Sequence, residues 1–344
     1  NLMDVNNYTF EKIVEVVKNF KNIRIHVVGD LIIDTHNECE AVAGLHKSPT
    51  LSLIKKNSTS YLGGAGIVAA HFASFSKNVT LTTVINKDKS LIGMVHLQAL
   101  PGTAKSKKTP EQIIDIAVDE ATKLAELGFD AILVENMHDT PYLLREVGPE
   151  IIAAMTVATA AVVDAVDVPV GIQVLAGANK AALAIAHATG ANFIRAEGFA
   201  FASIADEGIM DVADAGPLLR ERRRIDADDI AILADIQKKH SSHALTADLS
   251  IGDHARGADF MGADGVIVTG DHTGHAVDVS QLREVRGATE LPILAGSGVN
   301  QENIKDIFEF CDAAIVGSSI KQGGKWSNLI DAKQCRELLN AKNS

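Results

Sequence analysis

Five residues in this chain have the types that proton transfer needs, at spacings that let β-strands present them together. They are Glu135 in "GFDAILVENMHDTPY", Arg195 and Glu197 in "FIRAE", and Asp235 and Lys239 in "ILADIQKK". Side chains alternate along a strand, so Phe193, Arg195 and Glu197 share one face. By the same rule Leu233, Asp235, Gln237 and Lys239 share a face, leaving Ile232, Ala234 and Ile236 for an apolar surface. Carboxylates withdrawn from water can hold pKa values nearer neutrality, which is what a general acid or base requires. The five are therefore candidate catalytic residues, with an ion-pair network closing the top of a fold as the alternative.

A second set has the character of a phosphate cradle. "ILAGSGV" supplies Gly296, Ser297 and Gly298, and "AIVGSSIK" supplies Gly317, Ser318 and Ser319. Small residues at strand ends let backbone N–H groups approach an anion, and a following helix N-terminus adds its positive dipole end. Tight strand-to-helix turns are the alternative. His96, Gln173, Thr269 and Gly270 fall at other strand ends and complete the candidate substrate-binding set. The pairs His240 with His243 and His272 with His275 have the type of metal ligands, yet exposed loop histidines are the simpler reading. No metal site is expected, and the sequence names no cofactor.

These residues must be held by a repeating scaffold. β-rich runs at 92–97, 130–136, 168–175, 193–197, 232–236, 265–270, 292–298 and 313–319 alternate with helical stretches. One of those helices opens on a Thr109-Pro110-Glu111 cap signal and closes at Gly128. Eight such units predict an α/β fold of the (β/α)8 TIM barrel type, with a phosphate-binding site at the strands' C-terminal ends; a doubly wound sheet is the alternative. The connection between Glu197 and Ala231 is long and lies on the face where barrels build their sites, so a lid or wall is expected there. Its Arg220 to Arg224 run reads as a solvated helix face, with an anion or interface contact as the alternative.

The 344 residues carry a formal charge of -12, which opposes nonspecific binding to nucleic acid or anionic lipid. Three scattered cysteines, Cys39, Cys311 and Cys335, form no disulfide or zinc framework and fit a reducing compartment. No apolar run reaches membrane-spanning length, and the first twenty residues are too charged for a signal peptide. A cytoplasmic protein is expected, with a membrane-peripheral location open.

The first ninety residues read differently. "IRIHVVGDLIID" followed by "YLGGAGIVAAHFASF" resembles the start of ribokinase-like (PfkB) carbohydrate kinases, which implies that Asp34, Gly63 and Gly64 touch a sugar. That family's downstream G-A-G-D-type motif is absent, so the resemblance is to a truncated fragment over residues 1–90. From residue 91 onward "GMVHLQALPG", "ADIQKKH", "DGVIVTGDHTG", "LAGSGV" and "AAIVGSSIKQGGKWSNLID" resemble the BtpA family, in that family's order, over residues 91–340. The resemblance implies a barrel at 91–344 and a role in photosystem I biogenesis. Members outside photosynthetic organisms, often near sugar metabolism, make an enzyme the first expectation: a lyase, isomerase or glycosidic-bond-cleaving barrel acting on a phosphorylated sugar or nucleotide-like metabolite. A non-catalytic assembly factor for a membrane protein complex is the second, and a carbohydrate kinase the third. The expected partner is a phosphorylated small molecule; a homo-oligomer and a membrane protein complex remain open, and nucleic acid is not expected.

Overall fold

The computed structural model describes residues 24–28, 31–41, 53–63, 68, 70, 73, 78–82, 89–270 and 276–343. The chain divides into two units, Asn1–Lys87 and Asp88–Ser344. In the first, β1 (Arg24–Val28) pairs in parallel with a strand at Asn78–Thr82, while β2 (Leu31–Ala41) and β3 (Leu53–Gly63) form an antiparallel pair; the Asn78–Thr82 strand is β4. Asp34 lies in β2 opposite Tyr61, Gly63 closes β3 opposite Ile32, and Gly64 falls outside the described residues.

In the second unit strands and helices alternate: β5 (Ser90–His96), α1 (Pro110–Leu127), β6 (Ala131–Glu135), α2 (Pro149–Ala165), β7 (Val170–Gln173), α3 (Asn179–Thr189) and β8 (Phe193–Ala196). A hairpin, β9 (Ser203–Ala205) and β10 (Gly208–Met210), precedes α4 (Ala215–Arg224) and β11 (Ala231–Ile236). Then follow β12 (Ser241–Ser242), α5 (Ile251–Phe260), β13 (Gly265–Val268), α6 (Val279–Arg286), β14 (Ile293–Ala295), α7 (Ile304–Phe308), β15 (Ala313–Val316) and α8 (Ala332–Asn343). The eight parallel strands β5, β6, β7, β8, β11, β13, β14 and β15 close into a ring, and all eight expected strands are found, with ends that differ by up to three residues. The fold is a TIM barrel.

Local chemistry sets the element ends. Thr109 caps α1 in a reciprocal capping box with Gln112, Pro110 follows it at the first helical position, and Gly128 ends the helix at φ 100°. Ser250 and Asp253 make the equivalent box at α5. Each remedy satisfies backbone N–H groups that a helix start leaves without partners.

Strand alternation produces two apolar layers. Ile92, Met94, Leu133, Phe193, Ile267, Leu294 and Ile315 fill the barrel interior. Val95, Ile132, Val134, Ile172, Ile232, Ala234 and Ile236 face the other way, into the core shared with the helices. Gly171 makes room for the Phe193 ring: a Cβ there would stand 2.1 Å from it.

The long connection after β8 folds as the β9–β10 hairpin, extended by β12 into a three-stranded antiparallel sheet, before α4 begins. On α4, Arg223 pairs with Asp228 and Arg224 with Glu221 at exposed positions, whereas Arg222 reaches back to Asp264 at 2.6 Å. Among the described residues no helix is long and apolar enough to cross a membrane.

Candidate functional site

The strand register brings His96, Glu135 and Gln173 side by side at the C-terminal ends of β5, β6 and β7. Above the interior layer lies a cavity of about 260 Å³, lined by His96, Glu135, Arg195, Lys239, Trp326 and both glycine-serine turns, Gly296-Ser297-Gly298 and Gly317-Ser318-Ser319. A neighbouring cavity of about 500 Å³ is lined by Thr269, Gly270, Gln237, Lys238 and His240, and Lys239 borders both.

The two turns are tied to each other, since Ser319 Oγ donates to the Val299 carbonyl at 2.6 Å. Gly298 takes φ 63°, a left-handed conformation that suits glycine. A Cβ on Gly317 would stand 3.3 Å from the His96 ring, and one on Gly296 would stand 2.6 Å from Ile267. The N–H groups of Gly298, Ser318 and Ser319 make no backbone-to-backbone hydrogen bond among the described residues. The expected helix-dipole contribution is reduced, because α7 has only five residues and starts at Ile304, while the second turn runs into the 3-10 segment Ser318–Ile320. What the turns offer an anion is N–H groups rather than a long helix end.

His96 is buried, and its Nδ1 lies 3.0 Å from the Trp326 carbonyl. That oxygen can only accept, so Nδ1 carries the proton and Nε2 presents its lone pair. Burial, reinforced by the positive charge of Lys321, pushes the His96 pKa down to about 3, so the ring is neutral. Nε2 stands 3.5 Å from Glu135 Oε2, and a lone pair facing a carboxylate would be repulsive. Burial raises the Glu135 pKa against the opposing pull of Arg195 and Lys239. The contact suits a carboxyl proton shared with the imidazole lone pair better than an ion pair. The Trp326 indole stands edge-on to His96, with ring centroids 6.0 Å apart.

Arg195 is fixed by Asp235: its Nε lies 3.1 Å from each carboxylate oxygen, and its Nη2 donates to Oδ1 at 3.0 Å. Both side chains are buried. Burial pushes the Asp235 carboxyl upward while Arg195 pulls it back, and the guanidinium keeps its charge. Glu197 is also withdrawn from the cavity: Gln173 Nε2 donates to its Oε1 at 2.7 Å, and Lys238 Nζ lies 2.9 Å from its Oε2. Asn179 braces the same residue, donating to the Glu197 carbonyl at 2.8 Å and accepting from its N–H at 3.2 Å. Hence, of the expected residues, Glu135, Arg195, Lys239, His96 and the two turns line one cavity, Asp235, Glu197 and Gln173 are outside that lining, and Thr269 and Gly270 line the neighbouring cavity.

The alternation expected through Lys239 stops at Ile236. Gln237 adopts φ 44° and sends its amide to His254 Nδ1 at 3.3 Å, away from Asp235, and His240 adopts φ 58°. The intervening backbone is anchored where the Lys239 N–H donates to Thr269 Oγ1 at 2.8 Å. This irregular turn lets two consecutive lysines reach the barrel mouth, with Lys238 on Glu197 and Lys239 on the cavity. Of the histidine pairs, His243 Nε2 contacts the Lys238 carbonyl at 3.1 Å and His240 Nδ1 lies 3.8 Å from Asp206, while His272 and His275 fall outside the described residues. Among the described residues no group of three or more His, Cys, Asp or Glu side chains is gathered to hold a metal ion.

Two contributors were not anticipated, Trp326 and Lys321. The signal available was the lone tryptophan of "KQGGKW", shortly after the eighth strand. Lys321 is buried in a 2.7 Å ion pair with Glu120 of α1, anchoring the segment that carries the Trp326 carbonyl to His96.

A family model for the BtpA family matches residues 87–344. The chain belongs to the BtpA family. A relative from Caenorhabditis elegans, described as an uncharacterized mitochondrial protein, is 41% identical over 78% of this chain and 98% of its own length. The "Photosystem I biogenesis protein BtpA" of Synechocystis is 36% identical over 73% of this chain and 87% of its own length. Among solved structures, orotidine 5'-monophosphate decarboxylase from Methanocaldococcus jannaschii aligns with TM-score 0.49 and 14% identity, covering 75% of this chain and 100% of that one. Thiamine phosphate pyrophosphorylase from Pyrococcus furiosus aligns with TM-score 0.47 and 14% identity over 75% of this chain and 96% of that one. The BtpA match begins at residue 87, and the kinase-like reading of residues 1–90 gains no support from these comparisons.

Proposed function

We propose that this BtpA-family barrel is an enzyme for a phosphorylated small metabolite, a sugar phosphate or a nucleotide-like molecule. The observation that carries the reading is the shared cavity, lined by two glycine-serine turns together with Glu135, His96, Arg195 and Lys239. The turns and the Arg195 guanidinium would receive the phosphate, because backbone N–H groups and a rigidly held arginine suit its oxygens. Asp235 positions Arg195, and protonated Glu135 would deliver a proton to a carbonyl or leaving oxygen, with neutral His96 as the group that accepts one. Among the described residues Glu135 is the single carboxylate lining the cavity. Glycosidic-bond cleavage by the usual pair of facing carboxylates is therefore less well supplied than a lyase or isomerase reaction.

Thermal unfolding of the full chain with inorganic phosphate, sugar phosphates and their unphosphorylated counterparts tests the reading. A ligand at a hundred times its Kd stabilises the native state by about 2.7 kcal/mol. The shift is expected for phosphorylated compounds and should vanish on Ser297→Glu with Ser318→Glu. Equal shifts from unphosphorylated sugars, or none at all, would overturn it. The 36% identity to the Synechocystis protein supports a second reading, in which the barrel assists assembly of a membrane protein complex without turnover. That role would survive Glu135→Gln, whereas the enzymatic one would not.

A further inference from the structure

Three lysines stand in or beside the barrel mouth, and they differ in what neutralises them. Lys238 faces Glu197 at 2.9 Å, and Lys321 faces Glu120 at 2.7 Å. Lys239 borders both cavities, and the interactions of its ammonium group among the described residues stop short of any hydrogen bond or ion pair. The ionisable groups that act on it from a distance are Arg195, Glu135, Asp235 and Lys238, and Arg195, held in place by Asp235, is the one that most opposes a positive charge on Lys239. A lysine that is desolvated beside another cation is the arrangement that frees an amine for nucleophilic attack.

We propose that Lys239 is a nucleophile that forms an imine with a carbonyl carbon of the phosphorylated substrate. The inference rests on the anion-site reading above and narrows the substrate to a phosphate ester bearing an aldehyde or ketone. The Nζ lone pair forms a bond to the carbonyl carbon, and the carbonyl π electrons move to oxygen, which takes a proton from Glu135. The nitrogen returns one proton to the Glu135 carboxylate, which passes it to the hydroxyl; that group departs as water and leaves a protonated C=N bond beside the Glu135 carboxylate. One amine, one carbonyl and the Glu135 acid proton thus become one protonated imine and one water, with no oxidant or reductant. The protonated imine then draws electrons from the neighbouring carbon, which is the requirement shared by carbon–carbon lyases and by isomerases that shift a carbonyl.

Burial together with the neighbouring Arg195 lowers the Lys239 pKa, so the free amine is more abundant than on an exposed lysine. Two features of the wall assist. Glu135 borders the same cavity as the required acid, and the turns after β14 and β15 line that cavity too, for the phosphate end. The turn at Gln237, with φ 44°, presents Lys239 there, and such left-handed non-glycine residues hold only where surrounding structure enforces them.

The experiment uses the full chain with dihydroxyacetone phosphate and pyridoxal 5'-phosphate as probes. Sodium borohydride reduces any imine, and peptide mass spectrometry places the adduct. The expected result is an adduct on Lys239 that inorganic phosphate suppresses and that Lys239→Arg abolishes. Glu135→Gln should slow its formation by about a hundredfold while phosphate still raises the unfolding temperature. Phosphate stabilisation with Lys239 unmodified, or labelled no faster than the exposed Lys333, would overturn the imine. Trapping on Lys239 without phosphate stabilisation would instead sink the anion site and leave the nucleophile standing. Failure of both measurements would remove both readings.

Discussion

A histidine whose surroundings exclude water resists protonation, and burial with the nearby Lys321 charge pushes the His96 pKa from 6.5 down to about 3, although the Trp326 carbonyl favours the charged ring. Between those values the unfolded chain binds a proton that the folded chain does not, so this residue makes stability fall as pH drops below 6.5. The slope is at most about 1.4 kcal/mol per pH unit and levels off near pH 3. Glu135 acts in the opposite sense. Its raised pKa means that the folded state keeps a proton the unfolded state releases above 4.5, so its contribution is present below 4.5 and is lost as pH rises through the folded value. The two effects separate in the variant His96→Asn, whose amide can still donate to the Trp326 carbonyl. Urea unfolding of parent and variant from pH 7 to pH 4 should show the parent losing its advantage below pH 6.5. A gap that stays constant over that range would mean that His96 is charged in the folded protein.

At the scale of elements, the ion pair between Lys321 and Glu120 joins α1 to the segment after β15, at 1% and 4% side-chain exposure. Removing one partner strands a buried charge, which typically costs about 3–5 kcal/mol, whereas replacing both with apolar residues is often neutral or better. Lys321→Met should therefore lower unfolding stability by about 3–5 kcal/mol, and adding Glu120→Leu should restore most of it. Equal loss in the single and double variants, read from urea denaturation, would show that packing rather than charge pairing holds the segment. This pair also marks what the sequence could convey. The eight strands were legible because short β-rich runs alternate with capped helices such as α1. The Glu120 to Lys321 contact joins residues 201 apart, and Arg195 to Asp235 joins residues 40 apart, and no local pattern specifies either. The hairpin β9–β10 was hidden because its strands have three residues each, too few to display a period. Residue types at the mouth were legible from strand alternation up to Ile236, and failed at Gln237, where a left-handed turn breaks the phase.

For the whole molecule the decisive property is closure. A ring of strands has no edge, so the first barrel strand is as necessary as any central one. Here β5 pairs with β15 on one side, through Leu91 opposite Ala314 and Ile92 opposite Ile315, and with β6 on the other, through His96 opposite Glu135. The unit boundary at Lys87 and Asp88 lies just before that strand, and the BtpA match begins at the same place. The described residues on the cavity wall belong to the second unit. Removing residues 1–87 should thus leave a chain that unfolds cooperatively, keeps its helical and strand signal in circular dichroism, and retains any stabilisation by phosphate. Removing residues 1–97 takes out β5 and His96 together and exposes unpaired backbone on β6 and β15, so that chain should not fold. If the shorter deletion already abolishes cooperative unfolding, the barrel draws stability from the first unit; if the longer one folds, ring closure through β5 is not what holds the mouth together.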